Sequence, residues 1–299
     1  MGLLRPLYDN VLAAEFVKGV LGLTKTDDIA VAVKAIVKAE LQLKNTSLEP
    51  TIYSTAYRSY GYTTNEVRFE LGEKIFEELI SMPRLENDDD IEMGKGGALP
   101  LSGVVKSDRQ AFIITGLPAS GKSGVANKIA DHYGAVIIDS DYAKRKFPEF
   151  ASDFGASLVH EEASRVVFGD EKNNNRFLLE ACMIKGHNIV IPKIGYNSQE
   201  LIRFANKLTE EKYCVHLLLV SLDRVKATQR AYRRYIKTNR YVPLSLVLDI
   251  YGNDPILTYY RVRENSCWET YGKISSDVLE GHPFEIIHEK SGSPVKLFR

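Results

Sequence analysis

The sequence predicts an α/β fold, with a parallel sheet wrapped by helices on both faces, preceded by a small all-α N-terminal domain. From residue 111 onward, short apolar runs alternate with segments of helical periodicity, which is typical of strands joined by crossover helices. Before residue 84 every periodic segment has helical spacing. The 299 residues, of which 44% are hydrophobic, are enough for two domains with an apolar core.

The two parts are separated by a segment of different composition. Residues 84–107 combine an acidic run with glycines, a proline and serines, which favours a linker or a surface loop. We therefore predict a helical domain at 1–83, a linker at 84–107 and an α/β domain at 108–299. The N-terminal helices are predicted at 8–23, 27–43 and 63–82, the last opened by a capping box.

The second part supplies the elements of the sheet. Strands are predicted at 111–115, 135–139, 188–192, 214–221 and 284–288. Helices are predicted around 157–168, 175–185, 198–211, 223–238 and 255–271. Because strands and helices alternate, the strands are expected to run parallel with helices on both faces.

The loop after the first strand has the pattern GxxxxGK[ST]. It consists of Gly116, Leu117, Pro118, Ala119, Ser120, Gly121, Lys122 and Ser123. The glycines permit a tight turn whose N–H groups point at phosphate oxygens, and the following helix adds its positive end. Lys122 supplies a charge for the β- and γ-phosphates, and the Ser123 hydroxyl is a ligand for Mg²⁺. The pattern thus predicts nucleotide binding rather than a plain glycine-rich turn.

An acidic pair follows the second strand. Asp139 ends that strand and Asp141 lies just beyond it. Since ligands bind at the carboxyl ends of parallel strands, a carboxylate is expected beside the phosphate loop, where a kinase needs a proton acceptor. The alternative is that Asp139 or Asp141 caps the next helix.

A strongly basic segment spans residues 224–240. Arg230 and Arg234 are four residues apart and share a helical face with Lys226 and Lys237. Arginines from a lid commonly stabilise the charge that develops during phosphoryl transfer. The alternatives are a solvated basic helix and a stripe that contacts RNA through interleaved tyrosines.

Composition limits the other function classes. The 39 basic and 39 acidic residues balance, which argues against a nucleic-acid partner and against attraction to an anionic membrane. The three cysteines are widely spaced and the histidines have no ligand spacing, so neither a disulfide framework nor a metal cluster is expected. No apolar run is long enough to span a membrane, and we expect a cytoplasmic protein.

Three segments together resemble the zeta toxin family of bacterial toxin–antitoxin systems. They are GLPASGKS, IDSDYAKRKFP, and QRAYRRY followed by TNRYVP, within a similarity that runs over about residues 108–290. The resemblance implies a P-loop kinase fold like that of nucleotide and shikimate kinases. It also implies an enzyme that uses ATP and Mg²⁺ to phosphorylate the 3′-hydroxyl of the amino sugar in UDP-N-acetylglucosamine.

The resemblance also assigns roles to residues. Lys122 matches the phosphate-loop lysine, Asp141 the general base, and Arg230 and Arg240 the two catalytic arginines. Asp139, Lys144 and Arg234 are our candidates for substrate binding. One segment departs from the family, which usually shows I-E-G-T after the third strand, where this chain has Ile-Pro-Lys-Ile-Gly at 191–195.

The family further suggests a role for the N-terminal helices. Most such toxins are inhibited by a separate helical antitoxin, and some carry a helical extension that inhibits in cis. We therefore expect residues 1–83 to restrain the kinase as an antitoxin in cis, with a docking or oligomerisation module as the alternative. Two other functions stay open: a kinase for another acceptor, such as a dinucleotide or a nucleic-acid 5′ end, and a non-catalytic module switched by ATP.

Overall fold

The computed structural model describes residues 4–45, 49–152, 154–170, 176–279 and 281–299. The strands are β1 (Gln110–Thr115), β2 (Val136–Ile137), β3 (Ile189–Pro192), β4 (Cys214–Ser221), β5 (Thr270–Ser275) and β6 (Glu285–Glu289). The helices are α1 (Asn10–Gly19), α2 (Thr26–Asn45), α3 (Asn65–Ser81), α4 (Lys122–Tyr133), α5 (Ser140–Lys144), α6 (Gly155–Leu158), α7 (His160–Phe168), α8 (Leu178–Lys185), α9 (Ser198–Glu210), α10 (Arg224–Thr238) and α11 (Asp254–Val262). Short 3₁₀ helices lie at Asp88–Asp90, Pro148–Ala151 and Pro294–Phe298, and a π-helix at Leu246–Tyr251.

The strands form one sheet in the order β2-β3-β1-β4-β5-β6. The first five are parallel and β6 is antiparallel to β5. Helices flank the sheet, so the predicted α/β class is confirmed. Because β1 lies between β3 and β4, the loop after β1 is at the centre of the edge where the parallel strands end. This edge is where α/β proteins bind ligands.

The predicted strands at 111–115 and 214–221 and the helices at 198–211 and 223–238 are confirmed to within one residue at each end. The prediction of a helix through residue 271 is wrong. The helix ends at Val262, and residues 270–275 form β5. Its buried and half-buried residues alternate, as in a strand near the side of a sheet.

The first two helices form a hairpin that packs on α10. Phe16 and Ile36 are buried in one apolar cluster with Ala231 and Leu248. Two hydrogen bonds join the hairpin to α10: Gln229 Nε2 donates to the Val20 carbonyl at 2.9 Å, and the Tyr235 hydroxyl donates to the Ala35 carbonyl at 3.3 Å. Just after α10, the Tyr241 hydroxyl donates to Glu40 Oε1 at 2.5 Å. The hairpin therefore packs on one side of the basic helix for which a lid is one of the predicted roles.

Helix α3 packs elsewhere, against the main core. Leu71, Ile75 and Leu79 are buried in the cluster that contains the sheet. Arg68 of α3, whose side chain is only 3% exposed, ion-pairs with two buried carboxylates of the α/β part. Its Nη1 lies 2.8 Å from Glu149 Oε1, and its Nε lies 3.0 Å from Glu162 Oε1. Helix α3 is thus part of the same core as the sheet.

The segment predicted as a linker is closely packed over part of its length. Ile91, Ala98 and Leu99 are buried, and the Ala98 carbonyl accepts a 2.8 Å hydrogen bond from the N–H of Ile137 in β2. Glycine, proline and serine therefore mark turns here rather than a free linker. The domain boundaries at residues 83 and 107 stay a prediction. The helices before residue 83 share apolar cores with the part after residue 107.

Replacing Arg68 by Met is expected to destabilise the protein by about 3–5 kcal/mol, because it leaves two buried carboxylates without their cation. The free energy of unfolding, taken from urea denaturation, checks this. Arg176→Met is the matched control, since Arg176 pairs with Glu73 and Glu77 at the surface and is 63% exposed. We expect the control to cost less than about 1 kcal/mol; equal losses in both variants would contradict the assignment.

Within the described ranges, none of the helices combines the length and the apolar character that crossing a bilayer requires.

Candidate active site

The loop at 116–123 joins β1 to α4 and has the backbone of a phosphate cradle. Gly116 has a φ of 152°, and a Cβ there would lie 2.5 Å from the Val220 carbonyl oxygen. Ala119 and Gly121 have φ values of 60° and 90°, in the left-handed region. When the backbone alternates between right-handed and left-handed φ values in this way, its N–H groups point inward and form an anion-binding concavity. Ser120 Oγ is buried and has no hydrogen-bond partner among the described residues.

Lys122 lies over this loop. Its Nζ donates to the carbonyl oxygens of Gly116 at 2.8 Å and Leu117 at 2.6 Å. The pKa of Lys122 is lowered to about 8, chiefly by burial and also by the charge of Arg234. The carboxylates of Asp139 and Asp141 oppose the shift in this pKa. Lysine, two acids and an arginine are therefore within electrostatic reach of one another.

The two acids have different surroundings. Asp139 caps α5, because its Oδ1 accepts the N–H of Asp141 at 2.9 Å; this is the alternative considered for Asp139 above. Burial and then the charge of Asp141 raise the pKa of Asp139. Asp141 has a 57% exposed side chain and accepts a 2.8 Å bond from Lys144 Nζ. Burial raises the pKa of Asp141, but Lys144, Arg145 and Arg234 outweigh it, so the net shift is downward.

The predicted arginines converge on the same edge from α10 and the residues after it. Arg230 donates to Ser276, just after β5, through Nη1 to Oγ at 3.3 Å and Nη2 to the carbonyl oxygen at 2.7 Å. Arg234 is exposed, and its charge lowers the pKa values of both Lys122 and Asp141. Arg240 Nη1 instead donates to Asp89 at 2.9 Å. The charge of Arg234 thus acts on Asp141, whereas Arg240 is paired with the acidic segment.

That acidic segment is a feature that the sequence analysis missed. Asp89 accepts hydrogen bonds from Arg145 at 3.1 Å and from Arg240, and their charges outweigh burial to lower its pKa. Asp88 accepts from the Tyr142 hydroxyl at 2.7 Å and from Asn127 Nδ2. Its signal in the sequence is the run of three aspartates at 88–90, which by composition indicates only a linker or a surface loop.

The segment 191–195, where the sequence departs from the family pattern, also lies at this edge of the sheet. Lys193 directly follows β3, and its N–H donates to the Ile114 carbonyl of β1 at 2.8 Å. Its ammonium lies 4.8 Å from the ring centre of Phe168 and 4.6 Å from that of Phe204. A cation thus occupies the position after β3, between aromatic rings.

The residues present fit a nucleotide with its metal. Among the described residues, no group of three or more histidines, cysteines and acids could hold a metal ion by itself. A kinase site does not need such a group of protein ligands, because Mg²⁺ is held there by one or two protein ligands together with substrate phosphates. Ser123, in the first turn of α4, is the residue of the loop suited to that contact.

Comparisons with known proteins agree with this geometry. A search of curated proteins finds no match. Among solved structures, a chain from the PezAT chromosomal toxin–antitoxin system of the human pathogen Streptococcus pneumoniae has a similar fold, with a TM-score of 0.55 and 14% identity. The similarity covers 81% of this chain and 88% of that one. The zeta toxin family matches residues 105–255, which include the phosphate loop, both acids and the basic segment. The chain therefore belongs to the zeta toxin family.

Proposed function

We propose that the protein is a phosphotransferase that uses ATP and Mg²⁺ to phosphorylate the 3′-hydroxyl of UDP-N-acetylglucosamine or a related sugar nucleotide. Membership of the zeta toxin family supports a toxin kinase-type function. The observation that carries the proposal is the arrangement of Lys122, Asp141 and Arg234, whose charges act on one another beside the phosphate loop. Phosphoryl transfer needs little more from a protein than positioning and charge stabilisation.

Each of these residues has a role in the proposed reaction. ATP, when bound, supplies the γ-phosphoryl group. Lys122 exchanges its loop carbonyls for phosphate oxygens, and Ser123 contributes a hydroxyl to the metal. Asp141 accepts the proton of the acceptor hydroxyl as that oxygen bonds to the γ-phosphorus and the bond to ADP breaks. Its lowered pKa keeps it ionised at neutral pH and ready for the proton.

The remaining predicted residues hold charge and orientation. Arg230 and Arg240 stabilise the negative charge that develops on the transferred group, for which Arg240 must leave Asp89. Lys144 keeps Asp141 oriented, Asp139 fixes the start of α5, and Arg234 faces the acceptor side. These roles fit the observed ion pairs and electrostatic contacts.

Nucleotide affinity is expected to fall at high pH. Lys122 has a lowered pKa of about 8 in the free protein, so its ammonium is present below pH 8 and lost above it. Since phosphate binds the ammonium, the affinity for AMP-PNP·Mg²⁺ should fall about tenfold between pH 7 and pH 9. Isothermal titration measures this. Lys122→Met should bind weakly with little dependence on pH; an unchanged slope in that variant would assign the titration to another group.

The proposal includes a restraint in cis. The α1–α2 hairpin packs on α10, and the P-loop residue Ala119 is packed against the same apolar cluster. In a second contact, Asp89 pairs with Arg240 and Arg145 and offers them a carboxylate in place of phosphate oxygens. The proposed restraint thus acts through two contacts, an apolar one along α10 and an ionic one at Arg240, just after the end of that helix.

The function is tested with the full chain, ATP, Mg²⁺ and UDP-N-acetylglucosamine, by following the mass of the sugar nucleotide. A gain of one phosphate at the 3′-hydroxyl supports the proposal. If phosphate is transferred to a dinucleotide or an oligonucleotide 5′ end but not to the sugar nucleotide, the protein is a kinase for that other acceptor. A third outcome is that the protein binds AMP-PNP tightly but transfers phosphate to none of these acceptors, even in variants that lack the hairpin contact. The protein would then be a non-catalytic module switched by ATP.

A further inference from the structure

Lys193 is a cation that the proposed reaction has not yet used. It follows β3, next to the end of β1, at the edge of the sheet where the phosphate loop and Asp139 also lie. In parallel α/β proteins this edge forms the bottom of the ligand cleft. Its side chain extends from there to Phe168 at the end of α7 and Phe204 of α9. Lys193 thus lies on the α7 side of the cleft.

The ammonium of Lys193 has no strong partner within the described part of the chain. No hydrogen bond or ion pair reaches it there; its neighbours are the faces of the two aromatic rings. Burial lowers the pKa of Lys193, while the more distant charges of Asp139 and Glu200 raise it. An ammonium has three donors, and leaving them without acceptors in a half-buried place costs free energy. A ligand that supplied anionic oxygens would recover that free energy.

There is room for such a ligand. A cavity of about 350 Å³ lies between the loop after β3 and α9. Lys193 lines it together with Tyr196, Asn197 and Phe204, which offer ring faces and an amide. The lining also includes the carboxylate of Glu200, so among its described residues Lys193 is the single basic one, beside apolar, neutral polar and acidic surface. The ammonium is therefore the group in this cavity that would attract a phosphate of an organic molecule.

We propose that Lys193 binds a phosphate group of the acceptor in this cavity and so determines which acceptors the enzyme takes. The inference rests on the proposed function and deepens it, because it defines the acceptor as a molecule with a phosphate beyond its reacting hydroxyl. In the proposed reaction the loop after β1 holds the phosphates of ATP, whereas the Lys193 ammonium lies beside Phe168 of α7 and Phe204 of α9. The two phosphate sites are therefore separate.

Pyrophosphate is the probe, since it carries the phosphates of a nucleotide sugar without the sugar or the base. It is titrated into the full-length protein by calorimetry, alone and with the phosphate loop saturated by AMP-PNP·Mg²⁺. We expect one site to remain in the saturated protein. Lys193→Met keeps a side chain between the rings but removes the charge, and should weaken this site about 10- to 100-fold. Lys193→Arg should restore most of the affinity.

Lys207→Met is the matched control, an exposed lysine on α9, and should leave pyrophosphate binding unchanged. With UDP-N-acetylglucosamine as acceptor, Lys193→Met should raise KM for the acceptor by a similar factor and leave KM for ATP unchanged. Absence of a second pyrophosphate site, or equal affinities in wild type and Lys193→Met, would overturn the inference. The pyrophosphate titrations do not depend on turnover, so they test the Lys193 site alone. A failure of the proposed kinase reaction would be seen in the transfer assays instead.

Discussion

Replacing Asp141 by Asn is expected to lower the turnover number by about 10²- to 10⁴-fold, the range that a positioned general base contributes. The amide has the same shape and still accepts the bond from Lys144, but it cannot take the proton of the acceptor hydroxyl. The affinity for AMP-PNP·Mg²⁺ should change little, because the nucleotide phosphates are held by Lys122 and the loop. Phosphotransfer rates and calorimetry together check both parts.

Asp254→Asn serves as the control for this substitution, as an exposed aspartate in the first turn of α11. It should have wild-type rates. If Asp141→Asn retained turnover within tenfold of the wild type, Asp141 would not be the base. In that case Asp139, whose pKa is raised by burial and by Asp141, is the next candidate, and Asp139→Asn should then have the larger effect.

Undocking the N-terminal hairpin is expected to raise turnover. Phe16 is 2% exposed in the cluster between the hairpin and α10, so Phe16→Asp removes its burial and introduces a charge there. A buried phenylalanine contributes about 1.5–3 kcal/mol, which corresponds to a rise of about 10- to 100-fold if the docked state is inactive. Initial rates of phosphotransfer and growth after induced expression measure the release.

Val11→Asp is the matched control, on the same helix but 67% exposed, and should change neither rate nor growth. Asp89→Asn should give a smaller rise of a few-fold, since its pairs with Arg145 and Arg240 are partly exposed. Amide hydrogen exchange of α1 shows directly whether Phe16→Asp undocks the hairpin. Faster exchange without any gain in rate would contradict the restraint.

The sequence predicted those parts of the protein whose determinants are close together along the chain. The phosphate loop is eight consecutive residues, and β1 and β4 are uninterrupted apolar runs, so each is visible in a short window. Strand β5 was missed because its burial depends on distant residues. Gly272 lies so close to Ser293 and Val295 of the C-terminal segment that a Cβ would come within 2.6 Å of both. A glycine in that strand is therefore a packing requirement, which no local window shows.

The acidic segment was misjudged for the same reason. Asp89 is separated by 151 residues from its partner Arg240, and nothing near Asp89 in the sequence indicates that it binds an arginine. The N-terminal helices were predicted as helices because amphipathic periodicity is local, whereas their docking surfaces are not. The apolar face of α3 packs in the sheet core, whereas those of α1 and α2 pack against α10. All three faces have similar patterns in the sequence.

The hairpin of α1 and α2 reaches its docking surface on the same polypeptide, so the contact does not depend on how abundant the protein is. Association within one chain takes place at an effective concentration in the millimolar range, whatever the number of copies in the cell. Diluting the protein therefore does not weaken this contact, as it would weaken a complex of two chains. Because the contact forms within each molecule, its occupancy does not depend on the supply of a second protein.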